Sequence, residues 1–242
     1  MITNKESGTR VDEIVEGIYR ISTPVPPEVI PGGFTFNQYL IEDEQPLLYH
    51  TGPRKMFPLV KEAVESVVPL RSLRYIGFSH FEADECGALN DFLLAAPDAE
   101  PLCSNIAKMV SVDDFALRPA HPLADGEEVP LGIHQVRWID TPHFPHAWEC
   151  GHLFETTTKT LFCGDLFTQG GHQHEPMTTN DILQSSEEMR SKLDYFSQTR
   201  RVHELAGKLV LTAPETLACM HGAAWQGDGA RLLSQLGLRL AS

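Results

Sequence analysis

The densest set of chemically capable side chains is Ser79-His80-Phe81-Glu82-Ala83-Asp84-Glu85-Cys86-Gly87, which carries one imidazole and three carboxylates between His80 and Glu85. Imidazole and carboxylate are the residue types that ligate metals and move protons. The segment follows Leu73–Phe78, a short apolar run that reads as a buried strand. A loop leaving a strand on a rigid scaffold can turn several such groups towards one point. A solvated acidic loop would have the same composition. Against it stand the alternation of His80 and Glu82 beyond the apolar run and Gly87, which permits a tight turn.

Three later segments repeat the signal. Thr141-Pro142-His143-Phe144-Pro145-His146 follows a strand ending at Asp140. Cys163-Gly164-Asp165 follows a strand starting at Thr160, and His221-Gly222 follows one ending at Met220. A lone histidine is usually structural. Four separate strand ends that each deliver His, Asp or Glu point to a shared site.

The elements that must position these groups alternate between strand and helix. Ile14–Ile21 reads as a strand after a polar N-terminal tail, 1–12. Pro24–Gly33 is a Pro- and Gly-rich loop, and Phe34–Ile41 and Pro46–Tyr49 are meander strands. Met56–Val68 changes to helical spacing, with Pro58 tolerated in the first turn. Gly87–Ala96 is a second helix, and shorter elements run to Asp125. In the second half Val136–Ile139, His152–Thr156, Thr160–Cys163 and Thr216–Met220 read as strands. Ile182–Ala206 is mostly helical, and Ala230–Leu240 is the last helix. Both halves predict layered α/β architecture in a single domain over 1–242.

The chain has 242 residues and a formal net charge of −14. That surface should repel nucleic acid and anionic membranes, so neither is expected as a partner. No secretory h-region and no long apolar run is visible, and the five cysteines form no C-x-x-C pair. Reduced thiols in the cytoplasm are the simplest expectation. There is no G-x-S-x-G elbow, dinucleotide fingerprint or P-loop.

The order His80-x-Glu82-x-Asp84, then 61 residues to His146, 18 to Asp165 and 55 to His221, resembles the flavodiiron pattern within the metallo-β-lactamase superfamily. The likeness runs from Ile14 to about Trp225. Phe162-Cys163-Gly164-Asp165-Leu166-Phe167-Thr168 and the Pro142–Trp148 stretch look like the stand-alone oxygen-binding di-iron proteins. The resemblance implies a four-layered αββα metallo-β-lactamase fold. It also implies His80, Glu82 and His146 on a first metal, Asp84 and His221 on a second, and Asp165 bridging them. Two iron ions are the implied cofactor. Ligand type alone leaves zinc or manganese open, since zinc also accepts His and carboxylate.

The implied function is binding dioxygen, or nitric oxide, for sensing, scavenging or reduction. The alternative is a dinuclear zinc hydrolase of an ester, thioester, lactone or phosphodiester, against which Glu82 stands where the hydrolases carry a second histidine. Flavodiiron proteins carry a flavodoxin domain with FMN after this one. This sequence ends about twenty residues past His221. The expectation is therefore no flavodoxin domain, no FMN in this chain and a separate electron-donor protein. A homodimer is carried as a possible assembly.

Glu85 stands where relatives commonly have histidine, and reads as a solvated surface acid or, second, as a base behind the metals. His143 is the competing ligand to His146, but puts 21 residues before Asp165 instead of 18. His172 and His174 lie in a glycine-rich loop, read as mobile and polar or as handling gas or protons near the metals. Cys86 and Cys163 read as buried packing. Phe81, Trp148, Phe167 and Trp225 read as an apolar wall around the site.

Overall fold

The computed structural model describes residues 1–241. Two seven-stranded sheets face each other. The first contains, in spatial and chain order, β1 (Arg10–Val15), β2 (Ile18–Val25), β3 (Phe34–Ile41), β4 (Leu47–Tyr49), β5 (Tyr75–Gly77), β6 (Glu100–Ser104) and β7 (His121–Leu123). The second is built from β8 (Glu128–Pro130), β9 (Gln135–Asp140), β10 (Gly151–Glu155), β11 (Thr160–Phe162), β12 (Met177–Thr178), β13 (Thr216–Ala218) and β14 (Ala224–Gln226). Its spatial order is β12-β14-β13-β11-β10-β9-β8. The helices are α1 (Phe57–Glu65), α2 (Ala83–Cys86), α3 (Leu89–Ala95), α4 (Asn105–Ala107), α5 (Asp113–Phe115), α6 (Leu183–Leu193), α7 (Val202–Val210) and α8 (Gly229–Leu240).

Side-chain alternation along the strands sorts the apolar residues into three layers, because successive strand residues face opposite sides of a sheet. Tyr39, Leu47, Tyr75, Leu102, Trp138, Leu153, Phe162 and Ala218 meet between the sheets. Their neighbours Leu40, Leu48, Ile76 and Cys103 face outward onto α1 and α3. Ile139, Phe154, Leu161 and Leu217 face outward onto α6, α7 and α8. Three apolar layers between four structural layers is the expected αββα arrangement.

Parallel pairing makes one edge special. β4, β5, β6 and β7 run parallel in the first sheet, as do β11 and β13 in the second. Their carboxyl ends open onto a common edge, where such sheets place ligands.

Several boundaries differ from the sequence reading. The stretch 1–12 is not a free tail: Ile2 bridges Arg10 and β1 begins there. Ile14–Ile21 is a hairpin rather than one strand, turned at Gly17 with φ 70°. The helical stretch 182–206 is two helices, because Asp194 adopts a left-handed φ of 48° and ends α6. Among the described residues no helix is long and apolar enough to cross a membrane.

Candidate metal centre

Three of the six expected ligands sit at one offset from a strand end. His80, Asp165 and His221 each lie three residues beyond the last residue of β5, β11 and β13. Phe162 and Ala218 are registered partners, so Asp165 and His221 emerge side by side. His146 arrives on the longer loop after β9. Glu82 and Asp84 come from the turn after β5 that enters α2.

The loops approach closely. Gly164 has φ 49°, and a Cβ there would lie 3.0 Å from Ser79 Oγ, so both conformation and space require glycine beside Asp165. Gly222, next to His221, has φ 96°, and a Cβ would lie 2.5 Å from Gln169.

All six groups converge. His80 Nε2 and His146 Nε2 each lie 3.1 Å from Glu82 Oε2. Asp165 Oδ2 is 3.6 Å from His80 Nε2 and 3.3 Å from His146 Nε2. On the other side, His221 Nε2 is 3.2 Å from Asp165 Oδ1 and 3.5 Å from Asp84 Oδ2. The donors form two mixed His/carboxylate groups, His80–Glu82–His146–Asp165 and Asp84–Asp165–His221, which share only Asp165, beside an all-carboxylate cluster of Glu82, Asp84 and Glu85. Two donors that each lie ~2.0–2.2 Å from one ion are about 3 Å or a little more from each other. The spacing and chemistry of both groups fit a divalent cation.

Hydrogen bonds orient the rings. His221 Nδ1 donates to the Thr35 carbonyl at 2.7 Å, which turns Nε2 towards Asp165 and Asp84. His80 Nδ1 lies 3.0 Å from Ser79 Oγ, which lies 3.1 Å from His50 Nε2. The Ser79 backbone N–H also donates to His50 Nε2, at 3.3 Å, so that nitrogen is the acceptor. The network assigns the sequence His80 Nδ1–H to Ser79 Oγ–H to His50 Nε2. Burial and the neighbouring His80 push the His50 pKa down to about 3, keeping it a neutral acceptor.

The carboxylates and imidazoles bias one another's charge. Bonds from His146 and His80 pull Glu82 down to about 2 against burial. Burial would raise Asp165, but His221, His80 and His146 hold it well below the usual carboxylate range. Burial likewise opposes the ionised form of Asp84, and His221 overcomes it. His221 is raised to about 10 despite burial, by Asp165 and Asp84. Paired charges of this density on one sheet edge are typical of functional sites.

The lower-ranked residues fall out differently. Glu85 is not a solvated surface acid. It is fully buried, Oε1 lies 3.7 Å from His80 Nε2, and neither oxygen has a hydrogen-bond partner. Burial, with Asp165 and Asp84 nearby, drives its pKa well above the ordinary value. The first turn of α2 rolls Glu85 inward beneath Glu82 and Asp84, which one sequence position could not reveal. His143 is exposed and belongs to neither donor group. His172 packs against Gly33, and His174 Nε2 lies 3.1 Å from the Gly170 carbonyl. Both stand apart from the donor groups.

Cys86 and Cys163 are buried. The apolar wall is only partly as expected. Phe167 is buried in the outer core, whereas Trp148 is 58% exposed. The rings against His221 are instead Phe34, stacked at 4.3 Å, and Phe36, edge-on at 5.5 Å. Sequence reasoning also passed over His50, although it directly follows strand β4 and so carries the same strand-end signal as the ligands.

Comparisons with known proteins bear on the fold and the family. The anaerobic nitric oxide reductase flavorubredoxin of Pectobacterium carotovorum is 26% identical over 220 residues, covering 83% of this chain and 41% of the relative. The chain thus spans about two fifths of that protein. The Flv1 flavodiiron core from Synechocystis superposes with a TM-score of 0.82 at 19% identity, over 96% of this chain and 60% of the other. Rubredoxin oxygen:oxidoreductase from Desulfovibrio gigas gives 0.79 at 20% identity, over 95% and 61%. At those identities the structural likeness establishes the fold. The family model described as ODP family beta lactamase matches residues 34–222, well over half of the sequence, and the chain therefore belongs to that family.

Proposed function

We propose that the chain holds a di-iron centre that takes up dioxygen or nitric oxide, with His80, Glu82 and His146 on one iron, Asp84 and His221 on the other, and Asp165 across both. The observation that carries this reading is the split of the Asp165 carboxylate, one oxygen towards His80 and His146 and the other towards His221. A single shared carboxylate between two His/carboxylate groups is the arrangement by which two cations are held close enough to act on one small molecule. The names of the relatives, a nitric oxide reductase and an oxygen:oxidoreductase, support diatomic gases as ligands.

When bound, ferrous iron supplies the electrons and the open coordination positions. The chain's own contribution is orientation. Thr35 and the Ser79–His50 relay lock two imidazoles with Nε2 inward. Sustained reduction would need electrons delivered to the centre by a donor.

The test compares metal forms. Ferrous protein prepared without oxygen should develop visible absorption on mixing with dioxygen or nitric oxide, and zinc-loaded protein should stay colourless, since zinc has no accessible redox step. Zinc-dependent cleavage of a generic ester or phosphodiester, with ferrous protein inert to both gases, would instead assign a hydrolase.

A further inference from the structure

Beside the second donor group lies a groove of about 610 Å³. Five parts of the chain line it: the loop between β2 and β3 with Ile30, β3 with Phe34 and Phe36, Pro53 after β4, α2, and α6 with Met189 and Leu193. Asp84, a donor of the second group, is contributed by α2 and lines it as well. Asp84 is the only charged residue among those that line it, and none is basic. The groove is therefore hydrocarbon and aromatic over its length and touches the proposed centre at one carboxylate. Phe34 and Phe36 also pack on the ring of His221, the other terminal donor of that group. The His80–Glu82–His146 side is different in kind. Its Glu82 is 53% exposed and lines a second groove of about 520 Å³ that, beside Phe81 and Phe115, carries the polar and charged Arg54, Asn90 and Asp91.

We infer that this groove is the binding antechamber for an uncharged diatomic gas, and that the gas reaches the centre on the Asp84–His221 side. The inference rests on the di-iron reading and adds to it the side of approach and the residues that set it. Dioxygen and nitric oxide dissolve better among hydrocarbon than in water, and apolar cavities take up gases such as xenon for the same reason. An ester or phosphodiester of a hydrolase would need donors along its path to replace lost water, and the groove supplies none. Phe34 and Phe36 have a second effect. Phe34 stacks on His221 and Phe36 packs against it edge-on, so widening the groove at these positions would also loosen a donor. Met189 and Leu193 touch no donor and are the positions at which the route can be narrowed cleanly.

The experiment has two arms. Crystals of the wild-type protein under xenon pressure should show xenon among Phe34, Phe36 and Met189. In solution, Met189→Trp should retain wild-type iron content, while its ferrous form reacts with dioxygen about fivefold or more slowly in the second-order regime, where access sets the rate. Phe115→Trp, in the groove that meets the centre on its other side at Glu82, should react at the wild-type rate. A reactive wild type, no xenon in the groove and an unslowed Met189→Trp would overturn the groove alone. Ferrous wild type inert to both gases would overturn the functional reading and the groove with it.

Discussion

Asp165 and His221 meet at 3.2 Å because they leave neighbouring parallel strands at the same offset. The strand pair β11–β13 thereby fixes the carboxylate shared by both donor groups against the imidazole that belongs to only one. Removing Asp165 deprives both groups, whereas His174 contributes to neither. Asp165→Ala should lose about half or more of bound metal, and His174→Ala should retain nearly all of it, as read by elemental analysis of protein purified in parallel. Equal metal contents would remove the bridging role from Asp165.

The Ser79–His50 relay makes a subtler prediction. Ser79 contacts no donor oxygen but fixes the proton on His80 Nδ1. Groups behind a ligand typically contribute 10–100-fold to metal affinity, so Ser79→Ala should weaken binding by about tenfold or more. Competition with a chromophoric chelator measures this. Unchanged affinity in a folded variant would mean that His80 needs no such orientation.

His221 is held from beneath by the first sheet. Asn37 Nδ2 donates to the carbonyls of Cys219 and Gly222, at 2.9 and 2.8 Å, and Tyr39 Oη donates to Cys219 at 2.6 Å. Asn37→Ala removes two buried hydrogen bonds while Tyr39 still serves Cys219 and Arg20 still serves Gly222, so urea unfolding of metal-free protein should show a loss of about 1–3 kcal/mol. A loss no greater than that of an exposed substitution such as Leu211→Ala would show that the latch carries no stability.

Far from the centre, His134 Nδ1 lies 3.2 Å from Glu155 Oε1 at the opposite end of β9 and β10. Burial works to raise Glu155, but His134, Thr158 and Thr157 outweigh it and bring its pKa from 4.5 to about 2. Its contribution is present above the unfolded value and is lost as the pH falls from 4.5 through about 2. His134 is raised by Glu155 against burial. Its contribution is complete below its ordinary 6.5 and is lost as the pH rises through the higher folded value. The Tm difference between wild type and Glu155→Gln should therefore peak near pH ~5–6 and shrink on both sides. A difference that stays flat with pH would show that the pair does not titrate with folding.

That His80, Asp165 and His221 share one site was legible because one physical pattern repeats, a short apolar strand followed closely by a polar group, whereas their division between two metals came only from the family resemblance. Strand Phe34–Ile41 was read to its observed ends because alternation and flanking Gly33 agree. Glu85 was misread because burial of an acid depends on how a four-residue helix rolls, and no local pattern encodes that. The strands β12 and β14 were missed because two or three residues carry too little periodicity to be distinguished from loop. Phe34 and Phe36 were read as strand residues only. Their contact with His221 joins positions far apart in the chain and comes from the facing of the two sheets.

The number and kind of metals that the chain holds test the di-iron reading most directly. Protein purified without oxygen should contain two iron ions per chain by elemental analysis. Without added reductant or donor protein, its ferrous form should consume about one dioxygen per centre and then stop, since two ferrous ions supply two electrons. Two zinc ions per chain with no reaction towards dioxygen, or a single metal of any kind, would contradict it.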